Sequence, residues 1–319
     1  MSKRVADSCR RLPVWTLLLL LVLGLVGCAS GKPAEEQLPA DDRLERTNRV
    51  AHVAFRLGRY AQAASLYRKA ADLAYERDDI NAAVDAQYNA AVCLVRLDKV
   101  DDADALLRRT KAELARAGQT EPVELRLLEA TVLYRQQRYE EAWSLCENII
   151  FTVPESQAAQ RAQFLRGLIA ADQGDQARLR AAIADLSIPS DTIDGRLKAD
   201  RFELSGHLAL LEGRYDASVS DFVQAARLRS AGTDYRGTVR ALSKAGEASE
   251  AAGLVSQASV HYLRAGRSAL QQGARERARK LLTRSRALAY QAGDAETARE
   301  AQRYLTLLKE SEPESASDS

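Results

Sequence analysis

The sequence predicts an all-α protein in which short helices pack side by side along most of the chain. Hydrophobic residues recur with helical period in segments of about 14–18 residues, and no alternating β-branched run interrupts them. Only three of the seven prolines, Pro122, Pro154 and Pro189, lie within this body, where they can begin or end helices. With 46% hydrophobic and 28% charged residues, the composition allows a sizeable core and excludes a disordered or disulfide-rich chain.

Turn signals recur about every twenty residues and divide the body into fourteen predicted helices. They are mostly glycines, with a few polar breaks and one proline: Gly58, Arg77-Asp78-Asp79, Asp98, Gly118, Gln137, Pro154, Gly174, Asp194-Gly195, Gly213, Gly232, Gly253, Gly273 and Gly293. Because the connections are short, consecutive helices are expected to run antiparallel. The helices therefore form seven predicted hairpins.

The second helix of several hairpins begins with a repeated pattern of glycine, aromatic residue and small residue. In the first hairpin it reads Gly58-x-Tyr60-x-x-Ala63, and in the fifth Gly213-x-Tyr215-x-x-Ser218. The position of the small residue recurs through the chain as Ala63, Ala103, Ala142, Leu179, Ser218, Ala258 and Ala298. A small side chain at this point allows two helices to approach closely, so each of these positions is expected to be buried.

This pattern resembles the tetratricopeptide repeat (TPR), in which glycine makes the tight turn and alanines let neighbouring helices close. The resemblance covers residues 42–309 and implies a right-handed superhelical solenoid of about seven TPR-like hairpins, with first helices lining a concave face. The spacing averages about 39 residues rather than 34. The fourth unit also departs from the pattern, with Gln176 and Leu179 where Tyr and Ala are expected.

The first 27 residues have the features of a secretory signal. A basic segment precedes an apolar run over residues 14–26, which is too short to cross a membrane as a lasting helix. The run ends in Leu25-Val26-Gly27-Cys28, which resembles the lipobox of bacterial lipoproteins. That resemblance implies cleavage before Cys28 and acylation of its thiol and amine, and Ala29 in the next position implies the outer membrane. The alternative is an ordinary signal in which Cys28 is accidental.

These features divide the chain into a signal peptide (1–27), a flexible linker from lipidated Cys28 (28–41), the solenoid (42–309) and a disordered acidic tail (310–319). The full chain has a formal net charge of +2, but residues 1–27 carry four basic residues and one acid, so cleavage leaves a charge of −1. A nucleic-acid partner is therefore not expected.

No residue pattern in the sequence points to catalysis, a cofactor or a metal site. Phosphate-binding, zinc-protease and nucleophile-elbow motifs are all missing, and the three histidines lie in different repeats. His261 is expected at the surface. Cys93 and Cys146 are interpreted as buried thiols, with a disulfide between them as the alternative.

The repeat register places a set of first-helix residues on the concave face, where they are candidates for partner binding: His52, Tyr88, Arg96, Leu127, Tyr134, Arg135, Phe164, Glu203 and His207. Tyr and Arg dominate binding hot spots, so Tyr88, Tyr134 and Arg135 are expected to grip an extended peptide or a helix. The alternative is that Tyr88 and Tyr134 only pack against neighbouring first helices.

Charge is unevenly distributed along the solenoid. Residues 227–286 hold thirteen basic and four acidic residues. A basic patch is predicted within this region, formed by Arg264, Arg267, Arg275, Arg277, Arg279, Lys280, Arg284 and Arg286. Such a patch would meet acidic protein, anionic lipid or cell-wall polymer. The alternative is an ordinary solvated helix face.

Together these features predict a lipid-anchored periplasmic scaffold at the outer membrane that holds a protein or peptide in its groove. Similarity to other repeat-bearing lipoproteins implies a role in assembling an envelope, secretion or pilus machine. The second interpretation is a peptidoglycan-associated adaptor that recruits wall hydrolases or binds glycan. An enzyme is not expected, and the oligomeric state stays open.

Overall fold

The computed structural model describes residues 41–186 and 195–310, and this part of the chain contains fourteen α-helices and no strand. The signal peptide, Cys28 and most of the predicted linker and tail lie outside these residues. The helices are α1 (Asp42–Arg56), α2 (Tyr60–Tyr75), α3 (Ile80–Arg96), α4 (Val100–Arg116), α5 (Val123–Arg135), α6 (Tyr139–Thr152), α7 (Gln157–Asp172), α8 (Gln176–Asp185), α9 (Gly195–Leu211), α10 (Tyr215–Ala231), α11 (Tyr235–Ala251), α12 (Val255–Gln271), α13 (Arg275–Gln291) and α14 (Ala295–Glu310).

Each odd-numbered helix pairs with the helix that follows it, which confirms the seven predicted hairpins. First helices of neighbouring hairpins also touch, as α5 touches α7 and α7 touches α9. The stacked hairpins form a right-handed superhelical solenoid of TPR-like repeats. None of the described helices is long and apolar enough to cross a membrane.

The small-residue register is confirmed at all seven positions. Each of these side chains is at most 1% exposed: Ala63, Ala103, Ala142, Leu179, Ser218, Ala258 and Ala298. Gln257, one residue before Ala258, is exposed. The sequence pattern therefore identified the side of each second helix that faces its neighbours.

Glycines inside the first helices have a related packing role. A Cβ added to Gly246 in α11 would lie 2.8 Å from the ring of Tyr262, and one added to Gly206 in α9 would lie 3.0 Å from the ring of Phe222. Both aromatic rings belong to the second helix of the same hairpin. The rings fill the space that the missing Cβ atoms leave, which brings the two helices of each hairpin close together.

Most of the predicted turns place one residue in the left-handed region, two or three residues after the last residue of the preceding helix. The turn between α10 and α11 is shifted from its predicted position by one residue, since Gly232 has a φ of −85° and Thr233 takes the positive φ of 61°. Asp234 follows it, and its side chain accepts a hydrogen bond from the backbone N–H of Gly237 at 2.9 Å. This cap fixes the start of α11, so the positive φ falls on the β-branched Thr233.

Cys93, Cys146 and His261 are all buried, which agrees with the prediction for the two cysteines but not for the histidine. Cys93 and Cys146 are buried free thiols in separate hydrophobic clusters. The prediction that His261 lies at the surface is wrong, because its residue is only 6% exposed. Burial and the charge of Arg264 lower the pKa of His261 to about 4, which keeps its imidazole neutral.

Candidate functional site

The first and last repeats of the solenoid line a solvent-open cavity of about 590 Å³. On one side lie the turn after α1 and the C-terminal ends of α3 and α5. On the other side lie the first turn of α11, the turn between α12 and α13, and the start of α13. Repeats one to three thus face repeats six and seven, and residues far apart in the sequence meet in this basic cavity.

Turn geometry determines which side chains reach the cavity from the first repeat. Gly58 ends α1 with a φ of 73°, and the backbone N–H of Arg59 donates to the carbonyl oxygen of Ala54 at 2.9 Å. The chain therefore reverses sharply and α2 begins at Tyr60, whose ring packs edge-on against Phe55 at 5.4 Å between centroids. Tyr60 becomes part of the cavity wall.

The charged side chains of the cavity wall are mostly basic. The two acids are Asp98 and Glu276, and the six basic residues are Arg96, Arg135, Arg236, Arg275, Arg277 and Lys280. Asp98 is already engaged, because it forms an ion pair with Arg135. The cavity therefore has a net positive charge and lacks enough carboxylates to balance it.

Arg236 joins the two ends of the solenoid. Its guanidinium donates a hydrogen bond to the backbone carbonyl oxygen of Arg96, 140 residues earlier in the chain. It also lies 5.6 Å from the centre of the Tyr60 ring, within range of a cation–π interaction. Burial and the charges of Arg96 and Arg135 lower the pKa of Arg236 to about 10, so cationic repulsion is present at this point.

Arg135 connects the third repeat to the second at the cavity edge. Its Nη1 donates to the carbonyl oxygen of Val95 at 2.7 Å while its Nη2 pairs with Asp98. The side chain of Arg135 is thus held along the wall. Arg277 of α13 lies near enough for the charge of Arg135 to contribute, after burial and Arg240, to lowering the pKa of Arg277.

A second group of charges lies on the same inner side and is fully compensated. This buried ionic cluster consists of Arg229, Arg240 and three carboxylates, Asp200, Glu203 and Asp234. Arg229 bonds to Asp200 at 2.8 Å, to Glu203 at 2.8 Å and to Asp234 at 3.0 Å. Arg240 pairs with Glu203 from the other side. Every charge in the cluster has an opposite partner in contact with it.

The phenyl ring of Phe164 lies against both arginines of the buried ionic cluster. Its centre is 5.2 Å from the guanidinium carbon of Arg229 and 5.6 Å from that of Arg240. Burial alone would raise the pKa of Glu203, but Arg240 and Arg229 outweigh it and hold the pKa well below its usual range. Burial prevails at Asp200, whose pKa is raised to about 6 despite the contact with Arg229.

Two residues predicted to face a partner are buried instead. Glu203 is 0% exposed within the ionic cluster, and His207 is 6% exposed with its ring edge-on to Phe222 at 5.0 Å. The helical period correctly put both on the inner side of α9, but Arg229 and Arg240 bind the carboxylate of Glu203. In this structure neither side chain is accessible to a partner.

The remaining predicted groove residues are distributed over several settings. Arg96 and Arg135 line the basic cavity. Tyr134 donates to Asp172 at 2.7 Å and packs on Tyr139. Others are placed as follows: Phe164 at the ionic cluster, Tyr88 and Leu127 against separate hydrophobic clusters, and His52 exposed on α1.

The predicted basic patch divides between the cavity wall and surfaces outside it. Arg275, Arg277 and Lys280 line the cavity. Three others face neighbouring helices on exposed or half-buried surfaces, where Arg284 pairs with Glu250, Arg267 with Glu300, and Arg286 donates to Gln302. Arg279 lies near Glu276, and Arg264 is exposed on α12.

The structure thus adds two arginines that the sequence pattern did not single out as site residues. Arg236 and Arg240 lie one helical turn apart on α11, and each is the centre of one of the two charged groups. Their spacing of four residues on one helix was visible in the sequence. The residues that lie opposite Arg236 and Arg240 could not be identified from the sequence. Among the described residues, no group of three His, Cys, Asp or Glu side chains could hold a metal ion.

Comparison with known proteins supports the fold. No family model and no curated protein matches the sequence. The apo form of the quorum sensor NprR from B. thuringiensis is similar in structure, with 10% identity and a TM-score of 0.51, over 85% of this chain and 89% of that one.

Two further solved structures are similar to this chain. A signal transduction ATPase with a tetratricopeptide repeat sensor, from Pyrococcus horikoshii, has 14% identity and a TM-score of 0.50, over 83% of this chain and 42% of that one. A tetratricopeptide repeat protein from Parabacteroides merdae has 16% identity and a TM-score of 0.46, over 82% and 100%. The similarity to the ATPase and to the quorum sensor shows a TPR-like solenoid.

Proposed function

We propose that this TPR-like solenoid is a scaffold that binds a protein or peptide partner on its inner side, held at the outer membrane by acyl chains on Cys28. The fold supplies stacked hairpins and an inner surface, but a fold of this kind does not by itself determine a function. The basic cavity is the observation that carries the proposal. It is concave, built by both ends of the solenoid and lined by six basic but only two acidic residues, which favours an acidic segment of the partner.

The two charged groups on the inner side have separate roles in this proposal. The buried ionic cluster is closed to a partner, since Glu203 and Arg229 are almost completely buried. The cavity walls keep exposed cations such as Arg277 and Lys280, which are available to carboxylates. Binding therefore takes place at the cavity, and Arg96, Arg236 and Arg277 are its principal contacts.

The membrane attachment rests on the residues around Cys28 alone. Two or three acyl chains would anchor the mature chain stably, whereas one would not. Replacing Cys28 with Ser should release the protein from the membrane or leave it unprocessed. A mature-sized Cys28→Ser protein that still fractionates with the outer membrane would exclude lipidation as the anchor.

The proposed partner belongs to an envelope, secretion or pilus assembly machine. Crosslinked envelope is the material in which to test it, with the captured proteins identified by mass spectrometry. The wild type is compared with an Arg236→Gln/Arg277→Gln variant, which alters the cavity, and with an Arg267→Gln/Arg284→Gln variant. The second pair removes the same charge from residues that lie outside the cavity wall and are paired with Glu300 and Glu250.

We expect the wild type and the Arg267→Gln/Arg284→Gln variant to capture the same assembly component, and the cavity variant to lose it. Equal capture by all three proteins would show that the cavity is not the binding site. Wall hydrolases in place of assembly components would favour the adaptor function at peptidoglycan, which uses the same cavity for a different machine.

A further inference from the structure

The chain contains an acidic segment that matches the basic cavity in charge. Residues 311–319 include Glu312, Glu314 and Asp318 and no basic residue. The cavity wall has six basic and two acidic residues. The opposite charges of the segment and the cavity wall attract each other and orient the segment. This attraction weakens as the salt concentration increases.

The position of α14 brings this segment to the edge of the cavity. Helix α14 runs antiparallel to α13, so its last turn lies beside the first turn of α13. The guanidinium of Arg275, which lines the cavity, donates a hydrogen bond to the backbone carbonyl oxygen of Leu308. Helix α14 ends two residues later at Glu310. The acidic segment therefore begins within a few residues of the cavity wall.

The length of the segment is sufficient to cross the cavity. Nine residues span at most about 30 Å when extended. Because the segment is attached beside its site, its effective concentration there is on the order of millimolar. Even a weak interaction with Arg96, Arg236 and Arg277 would then keep the cavity occupied in most molecules.

We propose that residues 311–319 bind in the basic cavity of their own chain and compete there with the partner segment. This inference rests on the proposed function, because both ligands use the same cavity. The attached segment lowers the apparent affinity of the partner for the cavity, because the partner has to displace the segment in order to bind.

Photo-crosslinking in the full chain tests the contact directly. A photo-crosslinking amino acid in place of Ala316 should form intramolecular crosslinks to the cavity walls, around Tyr60, Arg96 and Arg236, located by mass spectrometry. The yield should fall at least about fivefold in high salt, because screening weakens the attraction. It should fall similarly in a chain with Glu312→Gln, Glu314→Gln and Asp318→Asn.

Crosslinks to the outer surface, or only between two molecules, would overturn the inference. Equal yields from the acidic and the neutralised segment would overturn it as well, since charge would then have no part in the contact. The Arg267→Gln/Arg284→Gln variant is the control for total charge and should crosslink as the wild type does.

Partner capture separates this inference from the proposed function. If the segment competes, the full chain with the three neutralised acids should capture more partner than the wild type, by about fivefold or more. Unchanged capture together with cavity-dependent binding would overturn the competition and leave the scaffold function standing. Capture that ignores the cavity arginines would overturn the scaffold function while the crosslinks still report on the segment.

Discussion

The two groups of charges on the inner side differ in their supply of carboxylates. Helix α11 contributes one arginine to each. Arg240 meets Glu203 in the buried ionic cluster, whereas Arg236, one turn earlier, meets the carbonyl oxygen of Arg96 and the charges of other arginines. The same residue type on the same helix face is thus neutralised in one place and left uncompensated in the other.

This difference separates a structural role from a binding role. Buried charges are tolerated only when their partners are present, since an unpaired buried charge costs several kcal/mol. The cavity is open to solvent, so its cations keep part of their hydration and need no internal partner. They can therefore remain available to an anionic ligand. Substitutions in the ionic cluster should mainly reduce stability, whereas substitutions in the cavity should mainly reduce binding.

Removing the central carboxylate of the ionic cluster should have the largest effect on stability. Glu203→Gln leaves Arg229 and Arg240 without the charge that both contact, and we expect the free energy of unfolding to fall by about 3–5 kcal/mol. Chemical denaturation measures it. The matched control is Glu276→Gln in the cavity wall, which should change stability by less than about 0.5 kcal/mol. Similar losses in the two variants would remove the distinction between cluster and cavity.

Acid should weaken the protein through His207, which lies beside the ionic cluster. Burial lowers the pKa of His207 to about 4, against an ordinary value of 6.5. As the pH falls below 6.5 the unfolded chain takes up a proton that the folded chain refuses, so stability is lost between pH 6.5 and about 4. The loss at pH 5 should be about 1–2 kcal/mol.

The variant His207→Leu should remove this part of the acid sensitivity, measured as the change in unfolding free energy between pH 7 and pH 5. Asp200, with its pKa raised to about 6, contributes in the opposite direction, because the folded chain binds its proton first. That contribution is common to both proteins and cancels in their difference. The exposed His52 provides the control, and an equal change in His52→Leu would assign the effect to histidine in general.

The substitution of a cavity arginine should affect stability less than the substitution of an arginine in the ionic cluster. Arg236→Gln removes a charge that is repelled by its neighbours, but it also removes the contacts with Tyr60 and the carbonyl oxygen of Arg96. We expect the unfolding free energy to change by less than about 1 kcal/mol in either direction. Arg240→Gln, one turn away, should cost about 3 kcal/mol or more. Thermal melts of the two variants compare the cavity and the cluster on one helix.

The fold could be predicted because its signals are local. A glycine such as Gly58 marks a turn through its own φ, and a small residue such as Ala103 marks a helix contact through its own size. Even the misplaced turn at Gly232 was wrong by one residue only, because the Asp234 cap decided where α11 begins. Features of this kind need no knowledge of distant residues.

The site could be predicted only in part, since its residues are distant in sequence. The helical period placed Arg96, Arg135 and Glu203 on the inner side, but period does not show what lies opposite. Arg236 reaches Arg96 across 140 residues through the accumulated rotation of the intervening repeats. Likewise, Glu203 is neutralised by Arg229, 26 residues later, and by Arg240, 37 residues later. Small rotations between repeats leave no motif in the sequence.

The binding of a simple acidic peptide tests the central claim most directly. The probe is octaglutamate, titrated by calorimetry into the full chain with Glu312→Gln, Glu314→Gln and Asp318→Asn, so that residues 311–319 do not compete. We predict one peptide per chain, an affinity that weakens as salt increases, and no binding of octalysine. Arg236→Gln/Arg277→Gln should weaken octaglutamate about tenfold, and Arg267→Gln/Arg284→Gln, with the same loss of charge, should leave it unchanged. Equal affinities in these two double variants would contradict the account, because net charge rather than the cavity would then determine binding.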